Sequence, residues 1–299
     1  MARGDLLAGR RRVSALGWRY PPLRVAGQLL PPVGWMTLIY VAALAALFVY
    51  AFWGVDAFTG KVVHTWGLGN FREIFESAAF RGVIWRTLWI AAAVTATCAV
   101  IAFPFAYFMA RLASPRVRAL LFVLVLLPLW SSYLVRVYAW KVILAQDGIL
   151  NWSLGKIGLP GANLGYSNTA MWLVFTYIWL PFMILPVYAA LERIPHSYIE
   201  ASRDLGAGGF TTLRRVVLPL TLPGVVAGSI FTFSLTLGDY ITPTLVGGAG
   251  STFIGNIVYS TGLGVSGNLP FAAAFAAIPL AIMAVYLALA KRTGAFEAL

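Results

Sequence analysis

Long apolar runs alternate along the chain with shorter polar segments. The first run, Pro32 to Trp53, has 22 residues. As a helix rising about 1.5 Å per residue it would extend roughly 33 Å, enough to cross the hydrocarbon core of a bilayer. Basic residues precede it, as they would a signal peptide. The run is too long for a signal core, however, and Tyr50 to Trp53 offers no small-residue cleavage site, so an uncleaved span is expected. Five further runs follow: Thr87–Ala110, Ala119–Val135, Ala170–Leu191, Val216–Leu237 and Pro270–Ala290. None of the six contains Asp, Glu, Lys, Arg or His. The pattern predicts an all-α integral membrane protein with six transmembrane helices. It divides the chain into a basic N-terminal segment, 1–31, and a six-span domain, 32–299, with a polar loop at 192–215.

Six spans place both termini on one side. Putting them in the cytoplasm leaves 6 Lys+Arg in the N-terminal tail, 3 around Ser114, 4 between Glu192 and Arg215, and 2 at Lys291 and Arg292, which is 15 of the 22 in the chain. Basic residues gather in cytoplasmic loops, so this orientation is expected and the segment 1–31 is cytoplasmic. Trp53, Trp66, Trp85, Tyr138 and Trp140 near the outer span edges read first as headgroup anchors. Composition agrees. Hydrophobic residues make up 60% and charged residues 11%, against about 25% charged in soluble domains. The net charge of +12 then reflects inner loops rather than nucleic-acid binding. Cys98, the single cysteine, can form no intrachain disulfide.

Pro104, Pro128, Pro181, Pro186, Pro219, Pro223 and Pro279 interrupt the spans. Each removes a helix donor, which a bilayer tolerates where neighbouring helices or a water-lined cavity satisfy the freed carbonyl. Gly224 and Gly228 have the G-x-x-x-G spacing that permits close helix contact. Packing and a moving gate both account for these residues, and both imply a bundle with an internal route.

Catalytic chemistry is sparse. His64 and His196 are expected on opposite sides of the membrane, so no His/Cys metal cluster forms. Ser153 and Lys156 match S-x-x-K without its K-T-G companion, and there is no G-x-x-x-x-G-K-[ST] phosphate cradle. Energy for transport against a gradient must come from an ion gradient or from another chain. An ion-coupled secondary carrier is therefore an alternative, although such carriers place ionisable groups inside their spans. A channel belongs with that alternative, and a membrane enzyme comes third.

In the 192–215 loop, Ser197 followed by Glu200 has the capping-box spacing, which predicts a short helix starting at Ser197. Gly206 can end that helix in the left-handed conformation, and Gly208-Gly209 offers a second turn. With Ile199 and Leu205 expected to be exposed, the projection reads as a docking element or as a solvated loop.

Two stretches turn that choice. Glu200-Ala-Ser-Arg-Asp-Leu-Gly-Ala207, followed by Val217-Leu-Pro-Leu-Thr-Leu-Pro-Gly224 and Gly228, resembles the EAA loop of permease subunits in ATP-binding-cassette importers, with Ser202 in place of the second alanine. The resemblance implies the six-helix type I importer permease fold in a bacterial cytoplasmic membrane. It also implies that Glu200, Ala201, Ser202, Asp204, Leu205, Gly206 and Ala207 form a coupling helix that inserts into an ATPase subunit. The implied partners are a second, homologous permease, two ATPase copies that bind ATP and Mg, and an extracytoplasmic binding protein. This chain itself would hold no cofactor and would not be an enzyme.

Leu134-Val-Arg-Val-Tyr-Ala-Trp140, Gly148-Ile-Leu-Asn151, Leu237-Gly-Asp-Tyr-Ile-Thr-Pro243, Gly247-Gly248 and Ile254-Gly-Asn256 are similar to the spermidine/putrescine branch. Relatives in the broader branch import ferric ion, sulfate, thiamine or aminoethylphosphonate, so these, or an amino-acid-like amine, are the alternative solutes. The candidate pathway residues are Asp239, Tyr240, Arg136, Tyr138 and Trp140. Asp239 stands just beyond the fifth span beside Tyr240, where a carboxylate and a ring suit a primary ammonium by charge and by cation–π attraction. Capping of a helix end, or pairing with Arg136, explains Asp239 equally well.

Overall fold

The computed structural model describes residues 21–56, 58–264 and 267–292. It divides into two units, Met1–Tyr50 and Ala51–Leu299. Helix α1 (Pro21–Ala51) accounts for the described part of the first and runs on through Pro31 and Pro32. The boundary expected between residues 31 and 32 therefore falls inside a helix. The rest of the basic segment, 1–20, lies outside the described residues.

The second unit opens with a hairpin of β1 (Gly54–Val55) and β2 (Val62–Val63), whose register pairs Gly54 with Val63. Its turn is closed by Asp56, whose Oδ1 accepts from the Phe58 and Thr59 N–H groups and from the Thr59 hydroxyl. These donors favour the charged form and hold the Asp56 carboxyl below its usual range. Helices follow in the order α2 (Gly69–Glu76), α3 (Ala78–Tyr107), α4 (Pro115–Trp130), α5 (Tyr133–Leu144), α6 (Ile149–Lys156) and α7 (Asn168–Arg193). After them come α8 (His196–Asp204), α9 (Gly209–Thr212), α10 (Leu218–Gly238), α11 (Ile241–Val246), α12 (Ile254–Gly262) and α13 (Leu269–Lys291). Two wide π turns interrupt the regular winding, Phe108–Leu112 at the end of α3 and Leu213–Val217 between α9 and α10.

Among the described residues, five helical stretches are long and apolar enough to span a bilayer: 27–51, 78–112, 168–193, 209–238 and 269–291. The expected third span, Ala119–Val135, is not one straight helix. Its helix α4 has 16 residues, or roughly 24 Å, short of the roughly 30 Å hydrocarbon core. The chain then bends by 94° into α5 and α6. Chemistry at the break explains the difference. The Ser131 N–H and hydroxyl both turn back onto the Pro128 carbonyl, at 3.2 and 2.7 Å. Ser131 and Ser132 are extended, with ψ of 150° and 135°. Serine hydroxyls that bond to nearby main chain compete with the helical ladder. Pro104, Pro181, Pro186, Pro223 and Pro279, by contrast, lie within continuing helices.

Helix α7 is the core of this unit, burying Met171, Phe175, Ile178, Met183, Val187 and Leu191. Helix α10 lies against it at the glycine pair. A Cβ on Gly224 would stand 2.7 Å from the Pro186 carbonyl oxygen, and one on Gly228 2.7 Å from the Met183 sulfur, so close helix contact holds as the spacing predicted. Polar side chains add cross-links. Trp172 Nε1 donates to Thr97 Oγ1 at 3.1 Å, joining α7 to α3, and Ser229 and Tyr286 join α10 to α13 at 2.6 Å.

Candidate functional site

Helix α8 begins one residue before Ser197, with Pro195 at its N-cap and no side-chain capping bond. The expected capping box is therefore absent. Pro195 and His196 already supply the entry, since a proline's fixed φ can precede a first turn without spending a donor. Glu200 is exposed on the outside of the helix. The other end matches expectation: Gly206 has φ +81°, its N–H donates to the Arg203 carbonyl at 2.8 Å, and the Ala207 N–H donates to that of Ser202 at 3.1 Å. Gly208 is the N-cap of α9, with φ −69°, so the second turn needs no left-handed residue.

Ser202, the departure from the EAA pattern, has a use of its own. Its hydroxyl meets that of buried Thr212 at 3.0 Å and ties α8 to α9 across the bend. Ala207 is half-buried, while Ala201, Asp204, Leu205 and Gly206 are exposed. Ile199, expected to be exposed, packs instead against the core. The apolar surface offered outward is Leu205, 88% exposed, with Phe210 and Tyr198.

At the far end of α10 the helix stops at Gly238 and restarts at Ile241. Asp239 bridges that break and is buried. Its Oδ1 accepts from the Ile241 N–H at 2.7 Å and the Thr242 N–H at 3.3 Å, which caps α11. Its Oδ2 accepts from the Thr242 hydroxyl at 3.0 Å and from the Tyr133 hydroxyl of α5. Tyr133 also meets Thr242 at 2.7 Å and stacks on Trp179 of α7, with ring centroids 5.7 Å apart. The broken span α4–α5 is thus pinned to the break between α10 and α11.

Arg136 does not pair with Asp239. Its Nε and Nη1 are buried without hydrogen-bond partners among the described residues. The other pathway candidates spread around this knot. Trp140 packs against Tyr177 at 5.4 Å, Lys141 Nζ lies 5.7 Å from the ring of Tyr138, and Tyr240 stacks on Tyr259 at 4.7 Å with the rings 11° apart.

Several glycines of the resembling segments, though not Gly238, are points of close approach. A Cβ on Gly255 would stand 2.7 Å from the Asp239 carbonyl oxygen, and one on Gly247 2.8 Å from Ser251 Cβ. Asn256 Nδ2 donates to the Tyr240 carbonyl and to Thr244 Oγ1. Ser153 donates to the Ile149 carbonyl at 2.7 Å and Lys156 Nζ lies over the Trp152 ring. Sequence reasoning missed Tyr133 and Thr242. The signal available was a hydroxyl beside each of two helix breaks.

The model of the family described as "Binding-protein-dependent transport system inner membrane component" matches residues 102–294, which take in α8, the Asp239 knot and the glycine pair. The chain belongs to this family. It is a multi-pass inner-membrane permease subunit of a binding-protein-dependent importer. It is 47% identical to the "Inner membrane ABC transporter permease protein YdcU" of Escherichia coli (strain K12), over 97% of this chain and 96% of that one. To the "Spermidine/putrescine transport system permease protein PotB" of Haemophilus influenzae it is 38% identical, over 69% of this chain and 71% of that one. A solved structure of a bacterial alginate ABC transporter, in complex with an alginate pentasaccharide-bound periplasmic protein, matches 96% of this permease and 97% of its own chain with a TM-score of 0.75. At 17% identity that is a likeness of fold.

Proposed function

We propose that the permease forms half of the translocation pathway of a polyamine importer, with spermidine or putrescine as the solute. The similarity to PotB across two thirds of the chain carries the solute class. Both termini, α8 and α9 face the cytoplasm in this reading, in line with the 15 of 22 basic residues on that side. Leu205, Phe210 and Tyr198 then present an apolar surface to an ATPase subunit, and Glu200, Arg203 and Asp204 surround it with charge. A second homologous permease completes the pathway, a binding protein delivers the solute outside, and two ATPase copies hold the ATP and Mg.

Uptake of radiolabelled spermidine by cells lacking their other polyamine importers tests the solute. Expression of the permease with its partners should restore uptake that unlabelled putrescine competes away. If uptake were not restored while an unrelated solute was carried, the polyamine assignment would fall. Orientation is read separately, with a membrane-impermeant thiol reagent on intact cells and Cys98 replaced by Ala. Lys156→Cys should label and Gly206→Cys should not.

A further inference from the structure

The three basic residues around Ser114 read from sequence only as inner-face charge, yet two of them are built into the bundle. Arg111 lies in the π turn that ends α3. Its Nη2 donates to the carbonyls of Leu191 and Ile194, at 2.5 and 2.6 Å. These lie at the end of α7, where the Leu191 carbonyl otherwise accepts, among the described residues, only a 3.3 Å bond from the Ile194 N–H and terminal carbonyls lack the regular donor four residues on. Ile194 is the C-cap of α7, and Pro195 and α8 follow at once. A cation at a helix C-terminus also opposes the helix dipole favourably.

Arg118 of α4 completes the arrangement from the other side. Its Nε and Nη2 donate to the carbonyls of Met109 and Ala110, at 3.0 and 3.1 Å, within the same π turn. Its Nη1 lies 3.5 Å from Glu192 Oε1, which also accepts from the Tyr188 hydroxyl. Leu191, Ile194 and Met109 are buried together in the core. The α7 terminus is thus fixed to the π turn by Arg111, and the π turn to α4 by Arg118, at the root of the loop that carries α8. Single-turn π irregularities inside helices recur at functional positions.

We propose that Arg111, held by its place in the Arg118-bound π turn, is a positioning residue for energy coupling: it fastens the root of α8 to α3, so that displacement of α8 by an ATPase moves the bundle rather than bending the loop. The proposal rests on the reading of α8 as the docking helix. A hydrogen-bonding tie between rigid elements is the kind of contiguous physical contact that can carry coupling. Both bonds come from one nitrogen, so a lysine ammonium, with three donors, can replace part of the tie.

The test uses the complete transporter with its binding protein, ATPase and second permease, reconstituted in liposomes, reading solute uptake and ATP hydrolysis side by side. Arg111→Met keeps the aliphatic stem and removes the donors. It should lower solute transported per ATP by roughly 10-fold, within the usual range for coupling between sites, while hydrolysis and complex assembly change by less than about 2-fold. Arg111→Lys should recover several-fold of that loss. Glu192→Gln, which weakens only the outer ion pair, supplies a milder variant and should lower the ratio less than Arg111→Met. An unchanged ratio in Arg111→Met, or uptake and hydrolysis falling in proportion, would overturn the clamp. Should Arg111→Met fail to assemble, Arg111→Gln takes its place with a similar expected fall, and an unchanged ratio there would overturn the clamp equally. Leu205→Asp separates this from the docking reading, since it should abolish uptake and substrate-stimulated hydrolysis together. Normal activity in Leu205→Asp removes the docking helix, whereas its loss with an unchanged ratio in Arg111→Met removes the clamp alone.

Discussion

The α8 loop and the Asp239 knot are both breaks in long helices, and they use polar residues in opposite ways. Around Asp239 the carboxylate is buried and its oxygens are occupied by main-chain N–H groups and by hydroxyls from two elements. Around Glu200 and Leu205 the side chains point outward, and α8 has no side-chain cap. Buried polar groups with all their partners inside the chain hold a fold together. Exposed apolar and charged groups on a short, well-terminated helix leave their interaction energy for another molecule.

The sharpest way to break this contrast is Asp239→Ala. The Ile241 N–H and the hydroxyls of Thr242 and Tyr133 would lose a charged acceptor worth about 1.5–3 kcal/mol per bond. Because the Tyr133 and Thr242 hydroxyls, 2.7 Å apart, can still pair with each other, the net loss should be about 3 kcal/mol rather than the full sum, seen as a marked fall in melting temperature of the detergent-purified chain. A melting temperature equal to that of the parent would show that the knot is not structural. Asp239→Asn sharpens the point, because it keeps an acceptor oxygen and drops the charge. Stability near that of the parent with polyamine uptake lost would assign a charge-selecting role to Asp239; both lost together would leave it a structural cap.

Gly206→Val should act at the other break. A β-branched residue at φ +81° costs about 1–2 kcal/mol, confined to the loop, and substrate-stimulated ATP hydrolysis should disappear while membrane insertion persists. Insertion is checked by membrane fractionation, and retained stimulation would take the loop geometry out of the mechanism. Glu200→Ala should have the smallest structural effect, within about 0.5 kcal/mol as for exposed positions without a special bond. A melting shift well beyond that would mean the residue has an internal partner after all, and the contrast between the two breaks would blur.

Much of the molecule was legible because bilayer physics is written in composition. Apolar runs without a single ionisable residue located the spans, and Gly224 and Gly228 located the contact between α7 and α10. The left-handed end of α8 was legible too, since few residues other than glycine accept such φ. The broken third span was not. Leu134 and Val135 continue the apolar run beyond Ser131-Ser132, and hydropathy does not register which carbonyl a serine hydroxyl reaches. The start of α8 went astray for a related reason, as Ser197 and Glu200 have the spacing of a capping box while Pro195 and His196 already form the first turn. Arg111 shows the deeper limit. Charge counting weighs it the same as Arg116, whereas the fold gives it two carbonyls and a place between helices. Asp239 was singled out correctly as an unusual acid, but its partners Tyr133 and Thr242 come together only through the fold.

The glycine contact has a mechanical corollary. At Gly224 and Gly228 α10 contributes no side chain, and the α7 residues Pro186, Ala190 and Met183 come up against its main chain. Contact this close resists separation of the two helices, and they are the very pair that the α8 loop joins. A push on that loop reaches both of its ends in the same direction, as on a handle fixed at two points. On either side of this contact the regular winding changes, at the π turn Leu213–Val217 before α10 and at the break Gly238–Tyr240 after it.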